Sequence, residues 1–463
     1  VTIDPDLERM ASTDEGDGLG DLRLRLDADP YLPYGWWPVV ILMLVTLIDR
    51  IETSVVAGVL PLLQDEWGFG DTLGGAIPTA AAIAGIVVTL PAGYLADRRD
   101  RRKLIAIVVA TWSVITMGSA VAISFGTFFA TRIVLGAADS LESPSASSLI
   151  ADYYPARARA RAYGLHRMIF FAGGSVGVLF GGLVGEWLGW RAAFLTIIVP
   201  GTIVALLVIR LPEPPRGGID RLSRSSADGS EAGPATVLDG GWTAFRSQLG
   251  EVLAVPTLRR LFAGLFALFV GLGGIIYWFP TYFDRVHDSG TGLGGTYTAL
   301  VGLIGIVGGA TIGGNLGDRW HGSRPGTRIV LGGGGLVTGS SMLAIALVDL
   351  PLAGRIPLLA LSLLLLSVAI PNLTAAIADV LPADHRGTGF ALLQLFLALG
   401  SAGGPLAVGA ASDAAGSLTT AFAVLVAPMV IGSIVVLGAR ATFEVDIAAA
   451  GGPSRTNSTR SSW

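Results

Sequence analysis

Ionisable side chains interrupt two of the apolar runs in this chain. One run, starting near Trp36, carries Asp49, Arg50 and Glu52; another, over residues 128–150, carries Arg132, Asp139 and Glu142. A third run opens with His166 and Arg167. Charges in an apolar setting cost about 3 kcal/mol each on insertion scales, so such residues mark function by default. Their chemistry is ion pairing and the uptake and release of protons. Asp49, Glu52 and Thr53 are spaced three and four residues apart and share one helix face, as do Asp139 and Glu142. Arg50 is turned away from Asp49 by about 100°. The expectation is that Arg50 contacts Asp139 or Glu142 across two helices and leaves Asp49 to carry a proton. Exchange of partners between conformations then couples protonation to motion. A fixed salt bridge bracing the two helices is the competing reading.

These residues are positioned by long apolar segments. The chain of 463 residues is 52% hydrophobic and 14% charged, against about 25% charged in soluble domains. Its apolar runs, each near the ~20 residues needed to cross a bilayer, fall at 36–60, 71–95, 104–123, 128–150, 162–184, 192–209, 258–283, 293–317, 328–348, 356–380, 387–411 and 418–439. Alternate loops concentrate arginine, at Arg98–Arg102, Arg157–Arg161 and Arg319–Arg328, whereas the opposite loops hold only Arg191, Arg285 and Arg355. The positive-inside bias therefore predicts cytoplasmic termini and a cytoplasmic linker at 210–256. Residues 1–33 are acidic and lack an apolar core, so no signal peptide is expected. Without cysteine the chain has neither disulfides nor thiolate metal sites. No phosphate loop, nucleophile elbow or His/carboxylate cluster with metal spacing occurs, so neither an enzyme nor a cofactor or metal is expected.

Two motifs recur. Gly93-Tyr-Leu-Ala-Asp97-Arg98 returns 221 residues later as Gly314-Asn-Leu-Gly-Asp318-Arg319, and Ala151-Asp152-Tyr-Tyr-Pro155 returns 227 residues later as Ala378-Asp379-Val-Leu-Pro382. Recurrence in order predicts a duplicated half: a tail at 1–33, a six-helix half at 34–209, a linker at 210–256, a second half at 257–440 and a tail at 441–463. The linker has amphipathic character around Trp242–Leu253. Transporters built from parallel repeats bind substrate near the bilayer midplane. The basic loop Gly93-Tyr-Leu-Ala-Asp97-Arg98-Arg99-Asp100-Arg101-Arg102 resembles the signature loop of the major facilitator superfamily, with Asp100 where glycine is usual. That resemblance implies an all-α membrane protein of twelve transmembrane helices, as two six-helix bundles related by pseudo-two-fold symmetry. It also implies a conformational latch formed by Gly93, Asp97, Arg98, Arg102, Asp318 and Arg319, with Asp97 near a helix N-terminus.

Within that superfamily the chain resembles the Spinster group, on Asp49-Arg50, Arg132-Ile-Val-Leu-Gly136, Ser143-Pro144 through Pro155, and Tyr277-Trp278-Phe-Pro280. Spinster proteins usually carry glutamate in a Gly-Glu-Ala element; here Gly136-Ala-Ala-Asp139 places Asp139 at that position, and Glu142 shares its role. The resemblance implies a proton-coupled carrier of lysophospholipids or similar anionic amphiphiles, with Asp49, Asp139 and Glu142 as proton-coupling acids. The second half is poor in embedded charge, so an amphiphile's head is expected on Arg50, Glu52, Arg132 and Arg167, and its chain near Tyr277, Trp278, Asn372 and Gln394. The alternatives are a proton-coupled importer of small organic anions and a multidrug–proton antiporter, although the glycine ladder Gly173, Gly177, Gly181, Gly185 lacks the antiporter proline and reads as close helix packing. The expected partners are the substrate, protons and membrane lipid, with no nucleic acid. The expected setting is a bacterial inner membrane, where a single chain suffices.

Overall fold

The computed structural model describes residues 21–22, 24–25, 28–29, 31–98, 100–222, 241–321, 326–382 and 385–450. Among the described residues the secondary structure is helical, without strands. In chain order the helices are α1 (Trp37–Trp67), α2 (Asp71–Arg98), α3 (Arg101–Ala120), α4 (Phe125–Asp139), α5 (Glu142–Tyr153), α6 (Ala156–Leu188), α7 (Trp190–Ile209), α8 (Gly241–Ala254), α9 (Pro256–His287), α10 (Gly290–Gly302), α11 (Gly308–His321), α12 (Thr327–Ala346), α13 (Leu352–Asp379), α14 (Arg386–Ala415), α15 (Leu418–Gly438) and α16 (Arg440–Ala450). A π-turn at Leu303–Val307 joins α10 to α11 within one span.

Among the described residues, ten spans are long and apolar enough to cross a bilayer on length and composition alone. The two further spans of the twelve-helix fold are α1 and the α4–α5 pair, and both carry the embedded charges. The span expected at 128–150 is broken: α4 stops at Asp139, Ser140 and Leu141 form a turn, and α5 restarts with Glu142 in its first turn. An acid there is favoured by the helix dipole. The amphipathic stretch of the linker is the helix α8, and part of the expected tail after 441 is helical as α16. The end of that tail, residues 451–463, lies outside the described residues.

Local chemistry explains the helix ends. Pro38 lies in the first turn of α1, where its missing N–H costs nothing, and Gly68 closes the helix in the left-handed region at φ 65°, its N–H on the Gln64 carbonyl. Asp100 caps α3 by accepting the Lys103 N–H at 3.1 Å. This corrects the expectation for Asp97, which lies in the last turn of α2 at that helix's carboxyl end. The acid three residues further on does the capping.

The chain divides into two compact units: residues 1–69, 77–237 and 283–299, and residues 70–76, 238–282 and 300–463. The first has a core of Val39, Leu42 and Val45 from α1, Val109 and Trp112 from α3, Leu149 and Tyr153 from α5, and Val204 and Val208 from α7. The repeat extends to individual hydrogen bonds. In the first unit Arg101 pairs with Asp152; in the second Arg328 pairs with Asp379. Arg159 donates to the carbonyls of Ala151 and Tyr154, and Arg386 donates to those of Ala378 and Leu381. Every residue of these sets is offset by 227 from its counterpart.

The copies differ in load. Arg101, fully buried, also reaches Glu213 Oε1 at 2.8 Å, Ser148 Oγ at 2.8 Å and the Pro214 carbonyl at 3.0 Å. Arg102 adds bonds to the Leu211 carbonyl at 2.9 Å and to Asp100 at 3.4 Å. The basic loop is thereby tied to the chain leaving α7. The tyrosines of the first motif act as struts, Tyr153 donating to the Pro212 carbonyl and Tyr154 to that of Gly35.

Candidate functional site

The embedded charges of the first unit gather where α1, α3, α4, α5 and α6 meet. Close helix approach puts them there. A Cβ on Gly177 would lie 2.6 Å from the Ile51 carbonyl oxygen, and one on Gly181 2.6 Å from that of Val55. On Gly173 it would lie 2.7 Å from the Arg50 Cβ. The glycine ladder is thus a packing seam that holds α6 against the charged stretch of α1. Across the bundle, a Cβ on Gly136 would lie 2.2 Å from the Ala81 carbonyl oxygen, so α4 is pressed onto α2.

Two ion pairs result. Arg50 turns back on its neighbour: its Nε donates to Asp49 Oδ2 at 2.6 Å, with its guanidinium 4.7 Å from the centre of the Phe170 ring. The expected bond to Asp139 or Glu142 is not made. The correction is physical: the 100° between consecutive residues is set at the Cβ atoms, and a four-bond side chain closes it easily, while Gly173 and Phe170 confine the arginine to that side. Asp49 is 2% exposed, and its Oδ1 has no hydrogen-bond partner among the described residues.

The second pair joins Glu52 and Arg132, 3.4 Å apart and both buried. Thr116 donates to Glu52, and Arg132 donates to Ser119. The guanidinium lies between the rings of Phe128 and Phe194, at 5.4 and 5.2 Å. The brace between the first and fourth spans therefore exists, carried by residues expected at the substrate. Both side chains are buried, and the Arg132 Nε has no hydrogen-bond partner among the described residues.

Asp139 and Glu142 flank the break between α4 and α5. Asp139 Oδ1 is buried without a partner among the described residues. Glu142 Oε1 accepts from Thr46 Oγ1 at 3.0 Å, and the same hydroxyl lies 2.8 Å from His166 Nε2. Arg167 is exposed and stacks on Phe170 and Phe171, at 5.1 and 5.6 Å. Sequence reasoning missed Thr46, Thr116 and Ser119. Thr46 was findable, lying one turn before Asp49 on the charged face; the other two lie on an apolar helix with no such signal.

The second unit uses its expected site residues differently. Trp278 is fully buried, and its N–H donates to the Pro405 carbonyl at 2.9 Å. Asn372, also buried, donates to the carbonyls of Gly313 and Val368 at 2.9 and 2.8 Å, fixing α13 to α11. Both make packing contacts in this structure, and the Asn372 Oδ1 is buried without a partner among the described residues. Tyr277 is half-buried and donates to the Gly74 carbonyl at 3.1 Å. Gln394 is exposed on α14. Of the latch set, the backbones of Gly93, Asp97 and Arg98 close α2, those of Asp318 and Arg319 lie in the last turn of α11, and Arg102 belongs to the network around Asp100.

Comparison with known proteins agrees with this architecture. A profile described as Major Facilitator Superfamily matches residues 42–405. The gallate transporter of Pseudomonas putida is 28% identical over 319 residues, 63% of this chain and 68% of that one. Protein spinster homolog 3 of Danio rerio is 24% identical over 424 residues, 85% of this chain and 82% of its own. The crystal structure of a bacterial homolog to the human lysosomal transporter Spinster, in an inward-facing and unoccupied conformation, superposes with a TM-score of 0.72 at 21% identity. That alignment covers 89% of this chain and 96% of the other.

Proposed function

The chain belongs to the major facilitator superfamily and is a multi-pass membrane transporter, and from that premise we propose that it couples transport of an anionic amphiphile, a lysophospholipid or a close analogue, to protons by alternating access. The observation that carries the proposal is Asp49, buried, with one oxygen on Arg50 and the other without a partner. A buried carboxylate oxygen left unsatisfied is costly, and a proton relieves that cost. Protonated Asp49 releases Arg50, whose charge then serves the anionic head of a substrate. An ionised Asp49 takes Arg50 back and expels the anion. Proton and anion thus enter together, and the site keeps its net charge. Asp139, with its own unpartnered oxygen, shares the load.

Arg50 and Arg167, each stacked on aromatic rings, offer cation beside apolar surface, which suits an amphiphile. The head is held by these two. The loops at Gly93–Arg102 and Asp318–Arg319 act as latches in the cycle. The protein resides in a bacterial inner membrane with both termini in the cytoplasm and works as a single chain. The likeness to a gallate transporter supports a second reading, in which the anion is a small aromatic acid. The same arginine-on-aromatic arrangement accommodates it.

The test is uptake of a fluorescent lysophospholipid into proteoliposomes with and without an inward proton gradient. Wild type takes up lipid faster with the gradient, and Asp49→Asn loses that dependence while remaining folded. Proton movement triggered by gallate, without lipid flux, transfers the case to the second reading. Gradient-driven flux retained in Asp49→Asn removes the coupling assignment.

A further inference from the structure

The hydrogen-bonded row Glu142–Thr46–His166 is not needed to hold Arg50, yet it links a buried acid to a half-exposed imidazole. Thr46 is 1% exposed and Glu142 5%, whereas His166 retains solvent access. We infer that His166 and Thr46 form the port through which protons reach and leave Glu142; this inference rests on the proposed proton coupling. Three features support it. The three groups come from α6, α1 and α5, so no single helix enforces the row. Both contacts converge on one hydroxyl oxygen, at 3.0 and 2.8 Å. A threonine hydroxyl donates once and accepts on its lone pairs, so the row has two complementary polarities.

In the first polarity Glu142 is ionised, Thr46 donates to it, and protonated His166 donates from Nε2 to Thr46. In the second, the Nε2–H bond has broken and a new O–H has formed on Thr46, whose original proton has moved to Glu142 Oε1. The histidine is left neutral with its proton on Nδ1. Nothing is oxidised or reduced; one proton has moved from imidazole to carboxylate. The free lone pair is then on Nε2; rotation of the ring turns that nitrogen to the solvent side, where hydronium protonates it before the ring returns to Thr46. The charged groups around the row are Arg167 on the same helix as His166, Asp49 and Arg50 on α1, and Asp139 at the end of α4.

The experiment measures gradient-driven uptake of fluorescent lysophospholipid, and of gallate in parallel, in proteoliposomes with a trapped pH dye. Thr46→Val removes the hydroxyl at constant volume and should slow gradient-driven uptake by about tenfold or more, the low end of what positioned proton transfer contributes. Equilibrium exchange, which moves no net proton, should persist. Thr46→Ser should restore the rate. His166→Ala should show the same defect and recover when imidazole is added to the buffer, which a purely structural histidine does not do. Wild-type proton-driven rates in Thr46→Val, or no imidazole rescue of a folded His166→Ala, overturn the relay. If Asp49→Asn abolishes coupling while Thr46→Val does not, the relay falls alone. If wild type shows no gradient dependence, the coupling reading falls and takes the relay with it.

Discussion

Replacing Arg132 with alanine offers a severe test of the two-pair arrangement. Arg132 satisfies Glu52, donates to Ser119 and sits between two phenylalanine rings, all in the buried interior. Removing it leaves Glu52 ionised with a single neutral donor, Thr116. Breaking one side of a buried pair costs about 3–5 kcal/mol. At roughly 2–4 °C of melting temperature per kcal/mol for a chain of this order, the variant should melt on the order of 10 °C lower. The double variant Glu52→Gln, Arg132→Met should recover most of that loss, because it removes both charges and keeps the volume. Thermal unfolding of the purified protein in one detergent, as a double-mutant cycle, reads the coupling directly. Additive losses would show that Glu52 and Arg132 do not act as a pair, and the brace assignment would be withdrawn.

Other outcomes follow from the same structure. Gly177→Leu should cost about 1–3 kcal/mol of overpacking, since even a Cβ there lies 2.6 Å from a carbonyl of α1; Gly174→Ala, whose Cβ meets nothing closer than Ser54 Oγ at 3.5 Å, is the control. Arg101→Ala should lower the melting temperature more than Arg328→Ala, because the Arg101 side chain is 1% exposed against 16% and binds two acids instead of one. Asp100→Asn should destabilise at neutral pH: burial alone raises the Asp100 carboxyl, but the Lys103 N–H and the Arg102 and Lys103 charges outweigh it and hold its pKa below 3.8. A depressed folded pKa contributes stability above the unfolded value, so the gap to wild type should hold from pH 8 down to about 5 and close as pH falls through the folded pKa. A gap that widened in acid would refute the assignment.

The span count, the repeat and the identity of the embedded acids were legible in the sequence, because hydropathy and spacing register them directly. Partner choice was not. Arg50 pairs with Asp49 and Arg132 with Glu52 because side-chain length and aromatic neighbours decide the partner, and no periodicity encodes either. Trp278 and Asn372 share types with ligand-binding residues, but which face of a helix is buried depends on neighbours distant in sequence. The break after Asp139 had a local signal that hydropathy does not register: Pro144 has no N–H for the Ser140 carbonyl and its ring crowds that carbonyl, which interrupts the helix one turn earlier. The Arg101 network closes onto Glu213, 112 residues away, through a segment that reads as a plain connector.

The pairing of Glu52 with Arg132 bears on how the protein is made. A charge at the bilayer centre raises the cost of inserting a helix by about 2.5–3.5 kcal/mol. Asp49 and Arg50 neutralise each other within α1 as soon as that helix forms. Glu52 has no such neighbour; its cation lies 80 residues downstream on α4. Until α4 emerges from the ribosome, α1 carries that cost unless the carboxylate is protonated. Arg132→Ala should therefore lower the yield of protein in the membrane as well as transport, which quantifying membrane-inserted protein checks.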